Sequence, residues 1–269
     1  MTNVWNKYRF LISRRVIQTL LLLLFVGANY FGWKILTGNY SSALVFGKFY
    51  FADPYAVLQT LFSGFLVSLD IAIGALIVIG FYALIGGRAF CSWVCPMNLV
   101  TDLAAWLRAR LGLSNKNQQF LINRKTRYFI LVMGLVLSFF IGTAAFEIIN
   151  PISMLYRGIV FGFGFGWAAV SLIFIFDLLI IENGWCGYLC PLGAFYSFTG
   201  RYSLIKIDHK LENCTKCMKC IVICPESQVL SIIGKKSGQI ISGECTNCGR
   251  CIEVCDDDSL RYSINRYKS

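Results

Sequence analysis

The chain has 269 residues, 57% of them hydrophobic and only 14% charged, with a mean hydropathy of +0.62; typical soluble domains carry about 25% charged residues. So little charge cannot cover a soluble surface, and part of the chain is expected to face lipid. Twelve cysteines stand against a single histidine, His209; with no C-x-x-C-H motif and no second imidazole for an axial pair, a haem carrier is excluded.

In chain order, four runs are apolar and long enough to cross a bilayer, for which about 20 residues are needed: Val16 to Leu36, Leu61 to Ile85, Tyr128 to Ile148 and Gly158 to Ile181. Basic residues orient such spans. Lys7, Arg9, Arg14 and Arg15 precede the first; Arg88, Arg108, Arg110, Lys116, Arg124, Lys125 and Arg127 stand between the second and third, and eleven more follow the fourth. Of the 25 lysines and arginines, only Lys34, Lys48 and Arg157 fall in the connections after spans one and three. Both termini and the middle loop are therefore expected in the cytoplasm. This orientation bias, rather than nucleic-acid binding, accounts for much of the net charge of +11.

The membrane part repeats itself, which is a first-order clue to architecture. Cys91-Ser92-Trp93-Val94-Cys95-Pro96 follows the second run and Cys186-Gly187-Tyr188-Leu189-Cys190-Pro191 follows the fourth, 95 residues later. Asp53-Pro54 and Asn150-Pro151 recur in the outer connections. Each repeat reads as helix, outer loop with Asp/Asn-Pro, helix, then C-x-x-x-C-P at the inner face. Both copies insert in the same direction, which implies an axis along the membrane normal. Four thiolates from Cys91, Cys95, Cys186 and Cys190 could hold a third iron–sulfur cluster at the membrane edge. Redox-active dithiols and small packing cysteines are the alternatives.

After residue 205 the cysteines fall into two runs. Cys214, Cys217, Cys220 and Cys224 form C-x-x-C-x-x-C-x-x-x-C, followed by Pro225; Cys245, Cys248, Cys251 and Cys255 repeat the spacing with Asp256 in place of proline. This is the two-cluster bacterial ferredoxin pattern, in which three cysteines of a run hold one cube and the fourth reaches the other. The expected ligand sets are Cys214, Cys217, Cys220 and Cys255 for one [4Fe–4S] cluster, and Cys245, Cys248, Cys251 and Cys224 for the second. A structural zinc site is the weaker alternative, and a disulfide framework does not suit a reducing compartment. The fold expected is a mainly α membrane protein with four transmembrane helices in two tandem two-helix repeats, residues 1–200. An α+β two-cluster ferredoxin domain, residues 201–269, follows on the cytoplasmic side.

Asp70 in the second run and Glu147 at the end of the third are candidate proton acceptors for a quinol site. Asp177 near the inner end of the fourth is a further ionisable residue at membrane depth; the bland reading of each is a side chain that reaches a polar neighbour. Gly158, Gly162 and Gly166 read as a small-residue stripe for close helix packing. No phosphate loop, dinucleotide fingerprint or nucleophile triad is present.

With these motifs in view the sequence resembles the NapH family. The resemblance runs through Gly38-Asn39-Tyr40-Ser41-Ser42, Phe90 to Pro96, Thr101-Asp102-Leu103-Ala104, Asn150-Pro151 and Gly184-Trp185-Cys186-Gly187. It implies the membrane component of a quinol dehydrogenase in a bacterial inner membrane. Such a component takes electrons from quinol and passes them to a periplasmic iron–sulfur partner of the NapG kind, with a membrane-anchored cytochrome c as a further partner and periplasmic nitrate reductase beyond. The competing readings are an assembly or metal-reducing accessory protein for a respiratory enzyme, and a redox sensor built on the membrane-edge cysteines.

Overall fold

Helices form in all four apolar runs of the computed structural model, which describes residues 4–113, 123–162 and 164–265. Lys116, counted above for orientation, and Phe163 lie outside the described residues, as do Arg266 and Lys268. Helix α1, Val4–Phe31, contains the 24-residue stretch Tyr8–Phe31, long and apolar enough to cross a membrane. The other three are shorter than expected: α3 is Leu69–Ile85, α6 is Thr126–Ile141 and α9 is Phe165–Leu179. At 1.5 Å rise per residue they span roughly 22–26 Å, against a hydrocarbon core of about 30 Å.

Local chemistry explains each shortening. Gly32 takes φ +67 and ends α1, so Leu36 starts a strand instead of closing a span. Strands β1 (Leu36–Gly38), β2 (Ser42–Val45) and β3 (Phe49–Ala52) form an antiparallel meander, with Leu36 opposite Val45 and Ser42 opposite Ala52. Helix α2, Pro54–Phe62, follows. It starts where Asp53 accepts from the Tyr55 amide with Pro54 in the first turn, and Gly64 (φ +85) separates it from α3. Gly142 (φ +71) stops α6 before the short α7, Ala145–Ile149. The freed amides are satisfied: Ala145 N–H donates to Ser138 Oγ at 3.1 Å and Phe146 N–H to Gln59 Oε1 at 2.8 Å, with Gln59 and Ser138 both fully buried. Such partners make a helix break tolerable where the backbone is shielded from water. Helix α8, Pro151–Phe161, begins as α2 does, with the Asn150 side chain accepting from Ile152 N–H. Gly162 (φ +91) then breaks the chain before α9. The expected glycine stripe is thus divided between two helices. Gly158 faces Trp167 and Gly166 faces Met154, so close packing is kept while Gly162 supplies the turn.

The remaining elements are α4 (Ala89–Trp93), α5 (Met97–Arg110), a π-helical turn at Trp185–Leu189, α10 (Pro191–Gly200), β4 (Ile205–His209), α11 (Lys219–Ile223), β5 (Gly238–Gln239), α12 (Arg250–Glu253) and β6 (Leu260–Ile264). The chain divides into two compact units. One comprises Thr19–Gly80 and Cys95–Phe195, and its buried residues include Phe25, Leu36, Tyr156 and Val160 packed as one cluster. The other gathers the segment up to Gln18, Phe81–Val94 and the chain from Tyr196 onward. The ferredoxin tail therefore shares its unit with an N-terminal segment and with Phe81–Val94, beyond the expected residues 201–269. In that unit β4 is the central strand of an antiparallel sheet ordered β5-β4-β6, with Ile207 opposite Tyr262. Ile207, Val229, Leu230, Ile233, Ile240 and Leu260 pack with Cys220 and Cys251 in its core.

Candidate metal centres

The two cysteine runs fold alike. In the first, Lys216 (φ 57) and Met218 (φ 60) are left-handed; in the second, Asn247 (φ 49) and Gly249 (φ 76) are, at the same offsets from the leading cysteine. A non-glycine residue costs of order 1–3 kcal/mol there and persists when its surroundings over-determine it. Alternating left-handed residues curl a loop so that its amides and thiols face a common centre, as anion and iron–sulfur nests do.

The thiols group across the runs. Cys224, last of the first run, lies close enough to Cys248 and Cys245 to be repelled by them as thiolates, and Cys251 feels Cys248, Cys245 and Cys224. Cys220 in turn feels Cys255, last of the second run, and Cys217. Burial pushes the Cys245 thiol up to about 11, with Cys248 adding to the shift and Lys206 and Arg88 opposing it. Burial likewise raises Cys224 and Cys251. Buried thiols of this kind are costly as bare thiolates, and binding to iron displaces their protons. Among the described residues no three His, Cys, Asp or Glu side chains converge on a single-ion position; a four-iron cube asks instead for thiolates spread one to each iron corner. The residues present fit that group. The two groups differ in exposure: Cys217 is exposed, whereas Cys248 and Cys251 are buried.

The first C-x-x-x-C-P motif leans on the second of these loops. Ser92 Oγ donates to the Thr246 carbonyl at 2.7 Å and Trp93 Nε1 to the Asn247 carbonyl at 3.0 Å. Thr246 and Asn247 are the two residues between Cys245 and Cys248. Asn247 is held further by Tyr262 Oη, which donates to its carbonyl at 2.7 Å, while its own amide donates to Ile85 and Ile205 carbonyls.

Both motifs are braced by a polar side chain from their repeat's first helix, α1 for the first motif and the first turn of α6 for the second. Gln18 Nε2 donates to the Ser92 carbonyl at 3.0 Å, and Arg127 Nη1 to the Gly187 carbonyl at 3.3 Å, one residue after the leading cysteine in each case. Around the second motif, Asp177 Oδ1 accepts from Trp185 N–H at 2.9 Å and Arg108 Nη1 caps the α9 carbonyls of Asp177 and Leu178. Cys95 and Cys190 are buried, and Cys91 and Cys186 half-buried. Cys91 belongs to the ferredoxin-containing unit and Cys95, Cys186 and Cys190 to the other. Within the latter, burial raises the Tyr40 phenol, with Cys95 adding to the shift; burial, Asp53 and Cys190 do the same for Tyr55.

The carboxylates fall into different settings. Asp70 is exposed in the first turn of α3, where the helix dipole favours a negative charge. Glu147 is half-buried: Oε2 accepts from Ser41 Oγ at 2.8 Å and Oε1 from Asn150 Nδ2 at 2.9 Å. Its neighbour is Asp53, only 8% exposed, which burial and then Glu147 push up to about 7. Asp177 serves the local turn. Sequence reasoning missed Asp53 as an ionisable group, having read Asp53-Pro54 only as a marker of the repeat in an outer connection. It also missed that Arg14, Arg88, Arg108 and Arg127 are fully buried rather than loop charges; only Arg88, three positions before Cys91, carried a signal in its place in the sequence.

Residues 67–114 and again 163–211 match the family described as 4Fe-4S binding domain, and residues 206–256 match the 4Fe-4S dicluster domain. The chain is similar to the ferredoxin-type protein NapH of Escherichia coli, 45% identical over 84% of this chain and 78% of that protein. It is similar also to NapH of Haemophilus influenzae, 44% identical over 88% and 83%. The methylamine utilization ferredoxin-type protein MauN of Methylorubrum extorquens is 40% identical over 86% of this chain and 80% of its own length. No solved structure matches the chain.

Proposed function

We propose, from the premise that this chain belongs to the family of ferredoxin-type electron-transfer proteins that includes NapH and MauN, that it is an integral-membrane subunit that oxidises quinol and passes the electrons on through two [4Fe–4S] clusters. In this reading Cys214, Cys217, Cys220 and Cys255 hold one cluster and Cys245, Cys248, Cys251 and Cys224 the other. Each bound cluster supplies a one-electron store, so a two-electron donor is served one electron at a time. The apolar runs cross the membrane four times, with both termini cytoplasmic. The partner is a periplasmic iron–sulfur protein of the NapG kind, and periplasmic nitrate reductase is the destination. Asp53 and Glu147, near enough for one charge to act on the other, are the proton-accepting carboxylates this reading favours over Asp70.

The observation that carries the electron path is the seating of Ser92 and Trp93 on Thr246 and Asn247. It ties the residues after Cys91 to the loop between two proposed ligands, so the membrane-edge motif and the inner cluster form one bonded patch. The match of a 4Fe-4S binding domain over each C-x-x-x-C-P pair supports a third cluster on Cys91, Cys95, Cys186 and Cys190. A second reading has its own support. MauN relatives, named for methylamine utilization, match about as well as NapH, and in this second reading the same device is an accessory ferredoxin for a different periplasmic enzyme.

The test combines iron content with quinol reduction. The purified, anaerobically handled chain is expected to carry at least eight irons, and Cys217→Ala to lose one ferredoxin cluster and keep the other. Added quinol should generate the EPR signal of reduced clusters. Full iron in Cys217→Ala would overturn the ligand assignment; clusters that dithionite reduces and quinol does not, even with the periplasmic partner present, would favour the accessory reading.

A further inference from the structure

The cluster proposed on Cys224, Cys245, Cys248 and Cys251 is the buried one, and reducing it adds an electron to a cube that its four thiolates already make anionic. Burial opposes that step, because low-dielectric surroundings penalise growing charge. Reduction potential follows the net charge, hydrogen bonding and exposure of the site, so the charges around Cys245 matter.

Two basic side chains act on Cys245, Lys206 and Arg88. They are not equivalent. Arg88 is 1% exposed and its Nη1 lies 2.6 Å from Oε1 of Glu226, itself 3% exposed, so that pair is close to neutral as seen from the cluster. Glu226 also stands next to the ligand side, acting on Cys224. Lys206 is 3% exposed and has no carboxylate partner among the described residues: its Nζ donates to the carbonyls of Gly200 at 2.7 Å and Arg201 at 3.2 Å, at the C-terminal end of α10. A buried ammonium held only by backbone carbonyls is expensive to keep. The residue before Lys206, Ile205, accepts from Asn247 Nδ2 at 3.2 Å, which sets this part of β4 against the loop between Cys245 and Cys248, so a bound cluster there supplies a compensating anion.

We infer that Lys206 is a potential-setting residue, a buried cation that offsets the burial of the inner cluster and raises its reduction potential selectively. This inference rests on the ligand assignment proposed above. The step is a one-electron addition to the cube, with no bond made or broken at Lys206.

The test is an EPR-monitored redox titration of the full purified chain with dithionite, after iron analysis has established that both ferredoxin clusters are loaded. Lys206→Gln keeps a donor for the α10 carbonyls and removes the charge. At the wild-type midpoint its inner cluster should show a reduced-to-oxidised ratio lowered about tenfold, which is about 59 mV for a one-electron couple, while the step of the exposed cluster stays in place. Lys206→Arg should restore the wild-type step. Glu226→Gln removes the carboxylate that Arg88 meets at 2.6 Å and should move the inner step the opposite way, which keeps the idea refutable if Lys206→Gln does not assemble. Unmoved potentials in a fully loaded Lys206→Gln protein would reduce Lys206 to a helix cap and overturn the inference, as would equal shifts of both clusters or no upward shift in Glu226→Gln. A wild-type chain lacking the inner cluster would instead overturn the ligand assignment.

Discussion

Replacing Asp53 by asparagine isolates a buried charge without disturbing the helix start it serves. Asp53 caps α2 through the Tyr55 amide, and asparagine caps about as well; the second repeat uses Asn150 in the same way. In the folded chain the Asp53 carboxyl is raised from 3.8 to about 7, by burial first and then by Glu147. Because the folded pKa lies above the unfolded one, the folded state holds a proton that the unfolded chain releases. The associated stability is fully present below about pH 4 and is lost as pH rises through about 7. The slope is about 1.4 kcal/mol per pH unit, summing to on the order of 4 kcal/mol, of which about 2–3 kcal/mol falls between pH 5 and 8. For a chain of this size that corresponds to roughly 5–10 °C in thermal midpoint. Midpoints of wild type and Asp53→Asn in detergent, measured at intervals from pH 5 to 8, should therefore diverge with rising pH in favour of the variant. Titrating groups that do not interact with Asp53 cancel in the difference. Parallel profiles would refute the assignment of a buried, proton-holding carboxyl at Asp53.

Gly87→Ala should destabilise the ferredoxin-containing unit by about 1–3 kcal/mol, because the added Cβ would meet the backbone of Tyr196 and Gly200, which cannot move aside as a side-chain tip could; a denaturation midpoint equal to wild type would contradict that packing. A reporter active only in the periplasm, fused to the C-terminus, should give no signal if the chain crosses the membrane an even number of times from a cytoplasmic start; strong activity would refute the four-span arrangement.

The ferredoxin motif was legible because its chemistry is local. Two-residue spacers between Cys214, Cys217 and Cys220 and between Cys245, Cys248 and Cys251 prescribe a curled loop whatever surrounds it, and the left-handed residues at Lys216, Met218, Asn247 and Gly249 are that prescription carried out. The repeat was legible for the same reason: Asp53-Pro54 and Asn150-Pro151 are complete helix-start signals in themselves, and α2 and α8 begin there. Hydropathy located the apolar runs but not their breaks. A run stays apolar across Gly142 or Gly162, and whether a helix can stop there depends on a partner for the freed amides. For α6 that partner is Gln59, more than eighty positions earlier in the chain. Charge was the least legible property. Arg88, Arg108, Arg127 and Lys206 count in a sequence simply as positive charges, yet all four are buried on backbone carbonyls or a carboxylate. Composition determined that these cations exist and on which side of the apolar runs they fall. Only tertiary structure decided which of them lost their water and which anion each would face, because desolvation belongs to the surroundings of a side chain and not to its identity.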